Sequence, residues 1–186
     1  MRIISGELGG RWIKGGGKRS SLRPTSNRVK ETLFDILGER VSGAKVLDLF
    51  AGTGNLGLEA LSRGARESTF IDSSPSSVKI IRENIDHLGI STRSRVLQGD
   101  ASILLRRLHR WDERFDLIFA DPPYPIGITQ KILNQIAYSL PPGGIFILQH
   151  HKKVLPEADS ECGIRKIRER QFGETVLTFY KKRTAG

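Results

Sequence analysis

Four short apolar runs, each carrying an aspartate within it or just past its end, alternate with segments of helical periodicity. No other feature of the chain limits the possible folds as strongly. Lys45-Val46-Leu47-Asp48-Leu49-Phe50 closes on Ala51-Gly52, and a helix is predicted from about Asn55 to Arg63, ended by Gly64. Thr69-Phe70-Ile71 closes on Asp72; Ser74 then caps a helix with Pro75 at its first position, running to about Leu88 before Gly89. Arg95-Val96-Leu97-Gln98 leads through Asp100 to a helix near 102–110. Phe115–Ala120 ends at Asp121-Pro122-Pro123, and a helix at about 128–139 leads to Gly144–Gln149. Helices interleaved with apolar strands predict an α/β protein with a parallel, doubly wound sheet. The rhythm breaks at the end. Ile164–Arg170 and Thr175–Lys181 have β character with no helix between them, and Phe172-Gly173-Glu174 reads as a hairpin turn. The sheet should therefore finish with an antiparallel pair.

Ahead of the alternation, Arg2-Ile3-Ile4-Ser5 and Arg11-Trp12-Ile13 are β-prone pieces around glycine-rich turns, which predicts a hairpin. Pro24-Thr25-Ser26 supplies a breaker and an N-cap. Val29, Leu33, Phe34, Ile36 and Leu37 then predict an amphipathic helix over 26–39. At 186 residues the chain is long enough for one domain with an appendage. We expect a basic hairpin-and-helix extension over 1–40 and the main domain over 41–186.

The charge is unevenly spread. Residues 1–30 hold eight Lys/Arg against one Glu, residues 162–186 seven against two, and residues 31–161 fifteen against seventeen acids. Basic ends around a near-neutral body suit a polyanion, and Trp12 and Gly15-Gly16-Gly17-Lys18-Arg19 lie among those charges. Arg11, Lys14, Lys18, Arg19, Arg23 and Arg28 are the candidate RNA contacts. A single cysteine, Cys162, excludes an internal disulfide framework and any multi-cysteine metal site. No stretch approaches the ~18 apolar residues of a membrane span. Met1–Gly6 is broken too early by glycine for a signal segment, so a cytoplasmic location is expected. A monomer is expected too, since no surplus apolar helix face is evident. The four histidines make no convincing metal site, and His150-His151 reads as a solvated strand end.

Ligands of open α/β sheets bind outside the carboxyl ends of the strands. Asp48, Asp72, Asp100 and Asp121 occupy equivalent positions there, beside Gly52-Thr53-Gly54-Asn55-Leu56-Gly57. Acids at strand ends also serve as helix caps, but four in a row with a glycine loop favour a composite site. The G-x-G-x-x-G spacing alone is weak evidence. A pyrophosphate would suit the glycine turn, yet a carboxylate at Asp48 repels phosphate and attracts a cation. S-adenosylmethionine (SAM) has an ammonium, a sulfonium, a ribose diol and an adenine, and no phosphate. Asp48 would serve the ammonium directly or through water, Asp72 the ribose hydroxyls, Asp100 the adenine amine, and the Ala101 N–H the ring. Phe50, Ala51, Gly52, Thr53, Gly54 and Ser73 would line the same pocket.

Asp121-Pro122-Pro123-Tyr124 is the sharper signal. Two prolines after a buried strand form a rigid corner that exposes the Pro122 carbonyl. An exocyclic amine on a base has a lone pair delocalised into the ring. Acceptors from Asp121 and Pro122 would hold that nitrogen towards a methyl donor, and Tyr124 would stack on the base. Such a base must be unstacked or flipped out.

Taken together, these residues resemble the class I SAM-dependent methyltransferases, and more closely the bacterial RsmD-type family of 16S rRNA guanine-N2 methyltransferases. The similar segments are Arg2–Gly6, Leu22–Phe34, Asp48–Ala60, Asp121–Tyr124 and Gly173-Glu174-Thr175. The resemblance implies a Rossmann-like, seven-stranded, mostly parallel sheet with an antiparallel last strand. It also implies SAM as cofactor, no metal, and a substrate on the assembled or assembling small ribosomal subunit. Arg23-Pro24-Thr25 would close over the cofactor. Gln149-His150-His151 departs from the family's pattern after the fifth strand, and the 15–21 loop is more basic than that pattern. The Asp-Pro-Pro-Tyr corner is shared with adenine-N6 methyltransferases of DNA and RNA, which stay open as an alternative. A nicotinamide oxidoreductase is opposed by Asp48 and by the lack of a hydride-site His or Lys. A non-enzymatic RNA-binding protein would leave the cofactor site surplus.

Overall fold

The computed structural model describes residues 1–15, 26–123, 128–154 and 163–183. Helix α1 spans Asn27–Leu37; the Ser26 side chain accepts from the Val29 N–H at its start, and Gly38, at φ 52°, closes its end by donating to the Phe34 carbonyl. The alternating units follow as β1 (Lys45–Leu49), α2 (Asn55–Ser62), β2 (Glu67–Asp72), α3 (Pro75–Leu88), β3 (Ser94–Gln98), α4 (Ala101–Arg110), β4 (Leu117–Ala120), α5 (Gln130–Ser139), β5 (Ile145–His151), β6 (Ile164–Phe172) and β7 (Thr175–Lys182). Ser74, Asp100 and Thr129 cap α3, α4 and α5 through their side chains. From α1 onward the expected helices and strands are all present, and their ends differ by at most two residues.

The seven strands form one sheet in the order β3-β2-β1-β4-β5-β7-β6. Strands β1 to β5 pair in parallel, and β7 runs antiparallel to both β5 and β6. The antiparallel ending is thus as expected, with β7 inserted inside β6. That leaves β6 as an edge, exposed from Arg165 to Gln171. Charges along an unpaired edge oppose strand addition by another chain.

Side chains alternate across the sheet with period two. Val46, Phe70, Leu117, Phe119, Ile145, Ile147, Leu177 and Phe179 join one core with α1, α2 and α3. Leu47, Leu49, Ile71, Ile118, Ala120, Phe146, Leu148 and Tyr180 join the other with α4 and α5. Asp48, Asp72 and Asp121 continue the first set by the same alternation, and so does Gln149.

The N-terminal hairpin is short, with Arg2 bridged antiparallel to Trp12 and hydrogen bonds between Met1 and Ile13 and between Ile3 and Arg11 on either side. Its turn directs its backbone donors to α2. The N–H groups of Ile4 and Ser5 donate to the two oxygens of Glu59, and those of Glu7 and Leu8 donate to the carbonyl and hydroxyl of Ser62. The hairpin thus also acts as a strap across α2. Gly6 makes the close approach possible, for a Cβ there would lie 1.8 Å from the Ser62 carbonyl oxygen. Beneath the strap, all eight residues of α2 are buried. No helix among the described residues is long and apolar enough to cross a membrane.

Candidate active site

The glycine loop between β1 and α2 turns through left-handed backbone. Phe50, Gly52 and Gly54 have φ of 58°, 58° and 79°. Glycine tolerates this at no steric cost. For Phe50 the strain is about 1–3 kcal/mol, sustained only where neighbours over-determine the turn. Here they do. The Ala51 N–H donates to the Ile71 carbonyl (3.0 Å), and the Gly52 N–H donates to Asp72 Oδ2 (2.7 Å). Asp72 Oδ1 accepts from the Ser74 N–H at 2.8 Å, so this carboxylate joins the glycine loop to the start of α3. Each of its oxygens keeps a second lone pair for a ligand hydroxyl.

Helix α2 begins at Gly54, which has no side chain to cap it. Asp48 does so from β1, its Oδ2 accepting from the Gly57 N–H at 2.9 Å. Gly57 permits the approach: a Cβ there would lie 2.3 Å from the Phe70 ring. Asp48 is 3% exposed. Burial pushes its carboxyl up to about 8, against the Gly57 bond, and the charges of Asp121 and Asp72 push in the same direction. Three carboxylates therefore act on one point at the sheet's carboxyl end. Such a site favours a cation, and no group of three or more metal-ligating side chains occurs among the described residues. An organic cation with hydroxyls fits this donor set.

Asp121 follows β4 directly, with Pro122 buried and Pro123 exposed. Since Ala120 registers with Leu148, the next residue on β5, Gln149, lies beside Asp121. The Gln149 Nε2 donates to Asp121 Oδ2 at 2.8 Å, and Gln149 is 6% exposed. In the sequence Gln149 stands out only as part of the Gln149-His150-His151 departure, with no role assigned. The signal was its place in the inward alternation of β5 after Ile145 and Ile147.

His150 is a correction. It is buried, with Nε2 2.8 Å from Thr178 Oγ1 and Nδ1 3.0 Å from the His151 carbonyl. His151 pairs with Glu174 at 3.0 Å. Strand β7 covers this end of β5, so the histidines do not form a solvated terminus.

Asp100 caps α4, accepting from the Ile103 N–H at 3.0 Å, and Ala101 is buried at the first helical position. Thr53 is buried, and its carbonyl accepts from Asn84; Ser73 is exposed. Of the RNA candidates, Arg11 donates to the His87 and Leu88 carbonyls at the end of α3, where a cation also meets the helix dipole. Lys14 pairs with Glu83 at 2.9 Å. Both fasten the strap, which the sequence reading did not foresee. Arg28 is exposed on the first turn of α1. Lys18, Arg19, Arg23, Thr25, Tyr124 and Cys162 lie outside the described residues.

A buried ionic cluster braces the loop from behind. Lys30 Nζ lies 2.9 Å from Glu59 Oε2, 2.9 Å from the Arg2 carbonyl and 2.8 Å from Asn55 Oδ1. Burial lowers the Lys30 pKa, with Glu59 opposing. Glu59 also accepts from Arg63 Nε at 2.9 Å. The cue in the sequence was Lys30 on the stripe of Leu33, Phe34 and Leu37, and Glu59 within an otherwise apolar helix.

Known proteins carry the same architecture. A solved structure of the Escherichia coli methyltransferase candidate yhhF superposes with TM-score 0.85 at 29% identity, covering 98% of each chain. Among relatives, YlbH of Bacillus subtilis, named as a candidate rRNA methyltransferase, is 34% identical over 98% of this chain and all of its own. Ribosomal RNA small subunit methyltransferase D of Escherichia coli is 29% identical over the whole of this chain and 92% of its own. The family model described as conserved hypothetical protein 95 matches residues 1–181, and the chain belongs to that family, the RsmD-type group its motifs resemble.

Proposed function

We propose that the chain is a SAM-dependent methyltransferase acting on the exocyclic N2 amine of a guanine in 16S rRNA of the small ribosomal subunit. The observation that carries this reading is the convergence of Asp48, Asp72 and Asp121 around a left-handed glycine loop, a cation-seeking site without a metal cluster among the described residues. The names of its relatives supply the rRNA substrate.

The cofactor supplies, when bound, an electrophilic methyl group on a cationic sulfur. Asp72 accepts from the ribose hydroxyls while holding the loop through Gly52. Asp48 meets the ammonium, with Phe50, Ala51, Thr53, Gly54 and Ser73 around it. Asp100 and the Ala101 N–H meet the adenine. Asp121 and the Pro122 carbonyl accept the two amine hydrogens, and Pro123 stiffens the corner. This fixes the nitrogen and opposes delocalisation of its lone pair. The nitrogen must shed one proton as the new bond forms, and the Asp121 carboxylate is the acceptor already bonded to it. Tyr124 stacks on the flipped base.

The test is transfer of tritiated methyl from SAM to undermethylated small subunits, naked 16S rRNA and DNA, followed by nucleoside analysis. Label in N2-methylguanosine, lost in Asp121→Ala with SAM binding retained, is the expected result. Label in N6-methyladenine would move the activity to an adenine amine.

A further inference from the structure

A second surface stands apart from this site. Helix α4 buries Ala101, Leu104, Leu105 and Leu108 and turns its other face to solvent. On that face Ile103 is 58% and Trp111 50% exposed, two of the largest exposed apolar side chains among the described residues. With Arg106, Arg107 and Arg110 they line an open depression of about 390 Å³. The Arg107 guanidinium lies 4.6 Å from the centre of the Trp111 ring, and that of Arg95, from β3, lies 5.6 Å away. The lining holds three guanidiniums and no carboxylate. The nearby acids are engaged elsewhere, Asp112 with Arg114 and Glu113 with Arg95 and Lys45.

A solvated cationic helix end would account for the arginines but not for Ile103 and Trp111 beside them. A protein partner would account for the apolar pair but not for three unbalanced cations. RNA accounts for both, through phosphates for the guanidiniums and an unstacked base for an aromatic face. The face begins at Ile103, one turn past Asp100, and runs about 12 Å along the helix to Trp111, beside Arg95 at the start of β3. The near-neutral charge of residues 31–161 hid this, because the arginines of α4 are offset by acids buried or paired elsewhere.

We propose that the exposed face of α4, built from Arg106, Arg107, Arg110 and Trp111, is a second contact for the RNA substrate, holding single-stranded backbone and one stacked base away from the reacting nucleotide. This rests on the RNA-methyltransferase reading for its biological sense, but not for its test.

The experiment measures binding of a naked 16S rRNA transcript by filter retention and, separately, methyl transfer. Trp111→Ala and the triple variant R106Q/R107Q/R110Q are compared with Arg66→Gln, an exposed arginine on another part of the surface. Trp111→Ala should weaken RNA binding roughly tenfold. The triple variant should lower the slope of log K against log salt by about 2, at roughly 0.7 per lost phosphate contact. KM for RNA should rise while kcat at saturating RNA and the Kd for SAM stay unchanged. In a Trp12→Phe background, RNA should quench Trp111 fluorescence. RNA affinity and salt slope equal to those of Arg66→Gln would overturn the proposal. So would unchanged naked-RNA binding with slower turnover on assembled subunits, which would assign the face to a ribosomal protein. If the wild type transfers no methyl to RNA but the α4 variants still lose affinity, the activity reading fails and the contact stands.

Discussion

Asp48 sits where a charge is least at home, and its protonation couples the fold to the ligand. Its pKa in the folded protein is about 8, against an ordinary 3.8. The stabilisation this gives is fully present below about pH 4 and is lost as pH rises towards 8. The melting temperature should therefore fall between pH 5 and 8 in the wild type more than in Asp48→Asn, a comparison that cancels the other groups. A bound cation reverses the preference. Affinity for SAM should rise from pH 6 towards 8 by up to tenfold per unit, with release of close to one proton in calorimetry across buffers. It should level off where the ligand's own amine begins to lose its proton. Gln149 acts on the other carboxylate. Gln149→Leu removes the donor to Asp121 Oδ2 and should lower kcat roughly 10–100-fold, the worth of one hydrogen bond to a charged group. KM and the Kd for SAM should move little, a split that a purely structural role would not produce. Asp48, Asp72 and Asp121, which the fold brings together, stood out because acids at the ends of apolar runs are visible in sequence. Gln149 was not, because its meaning depends on which strand lies beside β4.

At the scale of elements, the strap, α1 and α2 share one ionic cluster. Glu59→Ala would leave Lys30 buried without its partner and strand the Ile4 and Ser5 N–H groups. Loss of a buried partner costs about 3–5 kcal/mol, and denaturant titration should find a destabilisation of that order. Glu59→Gln, which keeps an acceptor, should lose less. The elements themselves were largely readable. Ser26 and Ser74 announce helix starts, and Gly38 and Gly89 announce ends, because capping is local chemistry. The parallel strands were readable as apolar runs because both of their faces are covered. The hairpin at residues 2–13 was readable from its β-prone pieces, but nothing local reports that its turn donates to a helix some fifty residues later. The place of β7 inside β6 was equally hidden, because strand order is a property of the assembled sheet.

For the whole molecule, the basic ends set the expectation for how RNA is held, and the fold redistributes it. Arg11 and Lys14 are committed to α3, while Arg28 stays exposed. Neutralising Lys18, Arg19 and Arg23 together should weaken binding to a 16S rRNA transcript and lower its salt slope by about 2–3, at 0.7–0.9 per contact. A slope equal to that of the wild type would place the phosphate contacts elsewhere. The family assignment was legible because Asp48–Ala60 and Asp121–Tyr124 carry the class of chemistry and the front segments, Arg2–Gly6 and Leu22–Phe34, narrow it to one family.

The strap also orders events in time. Its residues leave the ribosome before their partners: Ile4 and Ser5 wait for Glu59, and Arg11 waits for His87 and Leu88. At ordinary rates of synthesis that wait is on the order of ten seconds. Until α2 and α3 have followed it out, an emerging copy carries a loose basic arm at a ribosome, among the RNA its mature form is proposed to modify.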